Sequence, residues 1–214
     1  MVEIAAAFTR AKALNFSASY HSTNALMERI AEGESADMAI ITDVGIATLV
    51  EQKKIAPETR RDIASAGIGL AVRAGAPKPD IRTPEAFKRT LLAAKSVTYT
   101  VTGASGIHFA QLIRDLGVAE PINAKAIIRD GLAGELAARG EVEIAVQQIS
   151  ELMQVKGIDI IGPLPASLQK TTVFSAGIFT AARKADSAIA LIDWLSTRET
   201  AAIIRSKGLT PLQV

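Results

Sequence analysis

Three short stretches of this 214-residue chain carry the side chains best suited to chemistry: His21-Ser22-Thr23-Asn24, Gly103-Ala104-Ser105-Gly106-Ile107-His108 and Gln147-Gln148-Ile149-Ser150. Each stands where a strand-like run gives way to a helix-like one. Each offers hydroxyls, side-chain amides or uncommitted backbone N–H groups, and none contains Lys or Arg. A helix N-terminus has orphan N–H groups and the positive end of the helix dipole, so it stabilises an anion without a formal cation. The chemistry expected here is hydrogen-bonded capture of an oxyanion or carboxylate. The candidate ligand-binding residues are Ser22, Thr23, Asn24, Ser105, Gly106, His108, Gln147, Gln148 and Ser150, with Tyr99 on the strand-like run that feeds the second junction.

Simpler roles compete at each position. Ser-Thr-Asn ahead of a helix is also an ordinary N-cap. Gly103 to Gly106 lacks the Lys-Ser/Thr pair of a phosphate loop. Ser105 lacks the second glycine of a hydrolase elbow, because Ile107 stands in its place. Paired glutamines at a strand end also suit a solvated surface. His21 and His108 adjoin the first two junctions and are the side chains expected to titrate near neutrality, so any proton transfer would fall to them. No carboxylate pair has a spacing that suggests acid–base work, and no catalytic residue is assigned. Lys53-Lys54, Arg60-Arg61 and Lys88-Arg89 read as solvated faces.

Composition removes other classes. The chain has no cysteine, which excludes thiol catalysis, Cys-ligated zinc and iron–sulfur clusters, and its two histidines argue against a multi-His metal site. Neither a cofactor nor a metal is expected. A formal charge of +2 is too weak a field to suggest nucleic acid. Apolar residues at 49% and charged residues at 21% support a packed core rather than disorder. The longest run free of Asp, Glu, Lys and Arg, Ser96 to Ile113, is too rich in Ser, Thr, Gly, His and Gln to face lipid. Glu3 and Arg10 do not fit a secretory leader, so the expectation is a periplasmic protein whose export signal was removed, or otherwise a cytoplasmic one.

The elements that must position these junctions alternate between strand and helix. Apolar spacing predicts helices over Val2–Leu14, over the segment after Ser22-Thr23-Asn24, over Val44–Lys54 behind a cap at Asp43, and over Pro84–Ala94 behind a cap at Thr83. Further helices are expected over Ile107–Leu116 after a tight turn at 103–106, over Leu132–Arg139, for one turn capped by Ser150, and over Ser187–Leu195 and Thr197–Ser206. Strands are expected at Phe16–Tyr20, at Met38–Thr42, at Ile63–Arg73 as one or two strands, and at Ser96–Thr100, Ala126–Ile128, Glu143–Gln148, Ile158–Ile161 and Val173–Ala181. Met38–Thr42 is a continuous apolar run of the kind buried on both faces of a sheet. This alternation predicts an α/β fold with mostly parallel sheets. The Pro/Gly segment Ala74–Asp80 and the two long strand candidates suggest two lobes: residues 1–72 with 176–214, and residues 73–175. Residues near 72 and near 175 are expected side by side, as two strands that cross between lobes.

The runs Arg73–Ile81, Thr83–Lys88 and Ala93–Ser96 resemble those of molybdate-binding-protein-like solute receptors, as do Gly103–Gly106, Gln147–Leu152 and Gly162-Pro163-Leu164-Pro165. The resemblance covers nearly the whole chain. It implies the type II periplasmic binding fold, two α/β lobes joined by two crossing strands, with an anion clamped between them and handed to the membrane subunits of an ABC importer. It places Ser22 at a hydroxyl-donor position and Val146 at a backbone-donor position. The tyrosine of true molybdate receptors appears here as Gln148, and the expected solute is a molybdate- or tungstate-like oxyanion or an organic acid. Some relatives are implicated in isomerising unsaturated tricarboxylates such as aconitate. The resemblance therefore also implies an alternative, an isomerase on the same fold.

Overall fold

The computed structural model describes residues 2–129 and 131–212. In chain order the elements are α1 (Val2–Lys12), α2 (Thr23–Ala31), β1 (Met38–Thr42), α3 (Asp43–Glu51), a single 3-10 turn (Pro57–Thr59), β2 (Arg61–Ala66), β3 (Ile68–Arg73), α4 (Pro84–Ala93), β4 (Val97–Tyr99) and α5 (Ala104–Asp115). They continue with α6 (Ala119–Asn123), β5 (Ala126–Ile128), α7 (Ala133–Ala138), β6 (Ile144–Gln148), α8 (Ile149–Leu152), β7 (Ile158–Pro163), β8 (Thr172–Ile178), α9 (Ala185–Leu195), α10 (Arg198–Ser206) and β9 (Thr210–Pro211).

The chain divides into two compact units, residues up to 65 together with those from 173 onward, and residues 66–172. The first unit holds the sheet β1-β8-β2-β9. Its core joins Ile4, Ala7 and Phe8 of α1 to Leu191, Ile192, Trp194 and Leu195 of α9, over Ile63, Ala176 and Ile178. The Phe8 and Trp194 rings meet at 5.6 Å between centroids, tilted by 60°. The second unit holds the sheet β5-β4-β6-β3-β7. One of its faces packs Val97, Tyr99, Ile144 and Val146 against Phe87 and Leu91 of α4 and Phe109 and Ile113 of α5. The other packs Ala71 and Ala145 against Ala133, Leu136 and Ala137 of α7 and Leu152 of α8. Each large apolar side chain sealed in this way contributes about 1.5–3 kcal/mol.

The α/β class is as expected, but the strand directions are mixed rather than mostly parallel. β4 runs parallel to both β5 and β6, whereas β3 is antiparallel to β6 and β7, β1 to β8 and β2 to β9. The run Ile63–Arg73 is two strands broken at Gly67, and they belong to different sheets. This displaces the expected crossing pair. Val72 pairs with Asp159 of β7, while the neighbour of β8 is β2, where the Ser175 hydroxyl donates to Asp62 Oδ1 at 2.6 Å.

Other local expectations are also corrected. Phe16–Tyr20 forms no strand; its alternating pattern suits a strand, but a ladder needs a strand alongside. Asp43 does not cap α3. Thr42 does, its hydroxyl accepting from the Gly45 N–H at 3.3 Å, and Asp43 is the first helical residue. Residues 104–106 form the first turn of α5 rather than a loop before it. Ser150 lies inside α8, with Gln148 at the cap position. By contrast Thr83 caps α4 with Pro84 at the first helical position, as expected.

Candidate functional site

The second and third junctions share one end of the second unit's sheet. β4 and β6 are parallel neighbours, with Val97 opposite Ile144 and Thr98 opposite Ala145, so their carboxyl ends open on the same edge. α5 starts just beyond β4, with Gly103 as its N-cap, and no side chain caps it. This first turn lies tight on the strand end: a Cβ on Gly106 would fall 1.5 Å from the Thr100 carbonyl oxygen. A glycine at this position is what allows the helix to start here with its first N–H groups uncapped. Ser105 sits in this turn and Gln148 is the last residue of β6, continuing the Ile144–Val146 face that α5 covers.

Ser105 is 2% exposed and Gln148 7%. The hydroxyl of Ser105 and the amide of Gln148 make no hydrogen bond to any described residue. Nearly all buried polar side chains have a partner, and leaving one without costs about 1–3 kcal/mol. The Thr98 hydroxyl also lacks a partner, but it is sealed inside the sheet, whereas the polar atoms of Ser105 and Gln148 are still reached from outside. Two buried side chains at the same sheet end, beside an uncapped helix start, leave hydrogen-bond donors uncommitted among the described residues. Val101 and Ile107, each 52% exposed, flank this end with apolar surface.

Four other sequence candidates of this unit have partners or burial of their own. Gln147 points to the opposite face, where its Oε1 accepts from the Ala133 N–H at 2.8 Å and its Nε2 donates to the Gly131 carbonyl at 3.0 Å, so it fastens the start of α7. Tyr99 is in the core; its hydroxyl donates to Asn123 Oδ1 at 2.8 Å, and its ring meets Phe109 edge-on at 5.0 Å. Val146 is fully buried opposite Leu70 of β3. His108 is half-buried, with Nε2 3.0 Å from the Leu168 carbonyl, which makes Nε2 the protonated ring nitrogen. Sequence reasoning missed Glu151, because a single carboxylate in a polar tetrapeptide carries no spacing signal. Burial pushes its carboxyl above the ordinary glutamate range, against the lowering effect of the Gln148 backbone N–H and the Gln147 side chain.

The first junction belongs to the first unit and acts first as a pair of caps. Ser22 is exposed and caps α2, its hydroxyl accepting from the Ala25 N–H at 3.4 Å. Thr23 Oγ1 accepts from the Thr42 N–H at 3.3 Å, tying the start of α2 to the end of β1 beside the Thr42 cap of α3. Asn24 is exposed. His21 Nε2 is engaged by Arg29, whose guanidinium also pairs with Glu34. Among the described residues no group of three or more His, Cys, Asp or Glu is placed to hold a metal, and no helix is long and apolar enough to cross a membrane.

Known proteins share this architecture. The periplasmic molybdate-binding protein of Azotobacter vinelandii superposes with a TM-score of 0.80 at 17% identity, covering 98% of this chain and 93% of that one. A substrate-binding domain assigned to a molybdenum ABC transporter from Clostridium difficile superposes with a TM-score of 0.78 at 14% identity, covering 99% and 93%. At these identities the likeness is one of fold. In sequence, an aconitate isomerase from a Pseudomonas species is 36% identical over 190 residues, covering 88% of this chain and 72% of that protein. Residues 1–210 match the model of a family described as bacterial extracellular solute-binding proteins, and the chain belongs to that family.

Proposed function

We propose that the solute is a small organic acid, held by a carboxylate at the carboxyl ends of β4 and β6, and that the protein supplies it to the membrane subunits of an ABC importer from outside the cytoplasmic membrane. The observation that carries this reading is the pair of buried, unpartnered donors Ser105 and Gln148 beside the uncapped first turn of α5. Uncharged donors and a helix dipole suit an anion that must also be released. The apolar flank of Val101 and Ile107 favours a solute with a hydrocarbon body over a bare molybdate- or tungstate-like oxyanion. Gly106, His108 and Ser150, close to Ser105 and Gln148 in the chain, complete the proposed set.

The test is a thermal-shift screen with cis-aconitate, trans-aconitate, citrate, molybdate, tungstate and sulfate. A bound solute at a hundred times its dissociation constant adds about 2.7 kcal/mol of stability. A shift with the carboxylates that disappears in Ser105→Ala and Gln148→Ala supports the reading. A shift with molybdate alone, or one that survives both substitutions, overturns it.

The aconitate isomerase relative favours a second reading, an isomerase. Moving a double bond between neighbouring carbons takes a proton from one carbon and returns one to another, so it needs a base in reach of both. His21 and His108 are the expected carriers, and Glu151 next to Gln148 joins them. NMR of cis- and trans-aconitate incubated with the protein decides it, because interconversion that stops in His21→Ala, His108→Ala or Glu151→Gln makes that residue the base.

A further inference from the structure

Thr100 follows directly on β4, at the carboxyl end where α5 begins, and it carries a further uncommitted donor. It is 6% exposed, and its hydroxyl makes no hydrogen bond to any described residue. Unlike the Thr98 hydroxyl it is not sealed inside the sheet, so its Oγ1 is still reached from outside. Buried hydroxyls are normally paired. Two glycines keep this one open. Gly103, the N-cap of α5, has φ −87° and ψ 152°, extended backbone that any residue adopts. Serine, threonine, aspartate and asparagine are preferred there, because their side chains accept from the first N–H groups of the helix. Glycine supplies no cap, and its conformation here does not require it. What a side chain would meet is Thr100. A Cβ on Gly103 would lie 3.1 Å from the Thr100 Oγ1, and beyond its chain neighbours no other atom of the described residues would be within 4 Å of it. A Cβ on Gly106 would lie 3.0 Å from the same oxygen. The Thr100 hydroxyl is therefore set against the uncapped first turn of α5, beside both glycines.

We infer that Thr100 is a further binding residue of this sheet end: its hydroxyl donates to the solute carboxylate that the first turn of α5 holds, and the absence of a side chain on Gly103 leaves that hydroxyl uncovered. The inference rests on the carboxylate reading of the site. The helix start contributes backbone N–H groups and the positive end of its dipole. Thr100 adds a side-chain donor that arises from the strand and not from the helix. A carboxylate oxygen accepts more than one hydrogen bond, so the Thr100 hydroxyl and the helix N–H groups can share one oxygen without competing. A Cβ on Gly103, 3.1 Å from Oγ1, would crowd the hydroxyl and block the approach of that oxygen.

The probes are citrate and trans-aconitate, titrated by calorimetry into the full chain, with Ser105→Ala as the reference for the site. Thr100→Val keeps the shape of the side chain and loses the donor. Its Kd rises about ten- to a hundredfold, while its urea midpoint without solute stays the same or rises. Thr100→Ser restores the hydroxyl and most of the affinity. Gly103→Ala weakens binding in the wild-type background and has no further effect in Thr100→Val, because the hydroxyl it covers is already gone. If Ser105→Ala weakens binding and Thr100→Val does not, the carboxylate reading stands and this proposal is overturned, the hydroxyl being satisfied by water. Losses from Thr100→Val and Gly103→Ala that simply add, or a Thr100→Ser as weak as Thr100→Val, also overturn it. A wild-type chain that binds neither acid overturns the proposal together with the reading on which it rests.

Discussion

The carbonyl oxygen of Thr100 and the α-carbon of Gly106 are so close that a side chain on residue 106 would begin 1.5 Å from that oxygen. The contact sets where α5 starts, and with it the position of Ser105 and the uncapped N–H groups of the first turn. Gly106→Ala must move either the helix or the strand end. The expected result is a loss of about 1–3 kcal/mol in urea denaturation, the usual cost of overpacking, together with loss of solute binding. A variant with wild-type stability and affinity would show that the turn is not held against Thr100.

Ser105→Ala and Gln148→Ala are expected to separate binding from folding. Each removes a buried polar group that has no partner among the described residues, so stability without solute should hold or rise slightly. Each also removes a donor to a charged ligand, a loss of about 1.5–3 kcal/mol, or about ten- to a hundredfold in Kd by titration calorimetry. Losses in stability with unchanged affinity would place these side chains outside the site.

Gln147 gives the opposite outcome. Its amide holds the Ala133 N–H and the Gly131 carbonyl, and both would be left without it in Gln147→Leu. Stability should fall by about 1–3 kcal/mol, with the solute affinity of the folded protein little changed. Denaturation and calorimetry on the same sample measure both.

Glu151 predicts a pH dependence. Its carboxyl is raised in the folded protein, chiefly by burial, so the folded state binds the proton more tightly than the unfolded chain does. Below the unfolded value, 4.5, both states are protonated and the full contribution to stability is present; it is lost as pH rises through the folded value. Glu151→Gln has no charge to bury. It should therefore raise the melting temperature at pH 7–8, and the gain should shrink toward pH 4. A gain that is the same at every pH would point to packing instead.

Local chemistry in the sequence determined most elements and their ends. Thr83-Pro84 starts α4, and the turn after α5 falls at Gly117, in the left-handed region at φ 67°. Met38–Thr42 and Ile144–Gln148, each of which opens on a short apolar run, are strands. The three polar junctions were visible because the residues that cap helices and bind anions have the same types and the same local spacing. That identity of type is also why the sequence could not rank them. Whether a hydroxyl or amide is spent inside the protein depends on residues far away in the chain: Gln147 meets Ala133 and Gly131, Tyr99 meets Asn123, and Thr23 meets Thr42, while Ser105 and Gln148 meet none among the described residues. Strand direction was equally hidden, since β3 reads the same parallel or antiparallel and only its insertion between β6 and β7 decides it. Phe16–Tyr20 shows the limit most directly: a period of two can be written into a sequence, but a strand exists only where another backbone offers it hydrogen bonds.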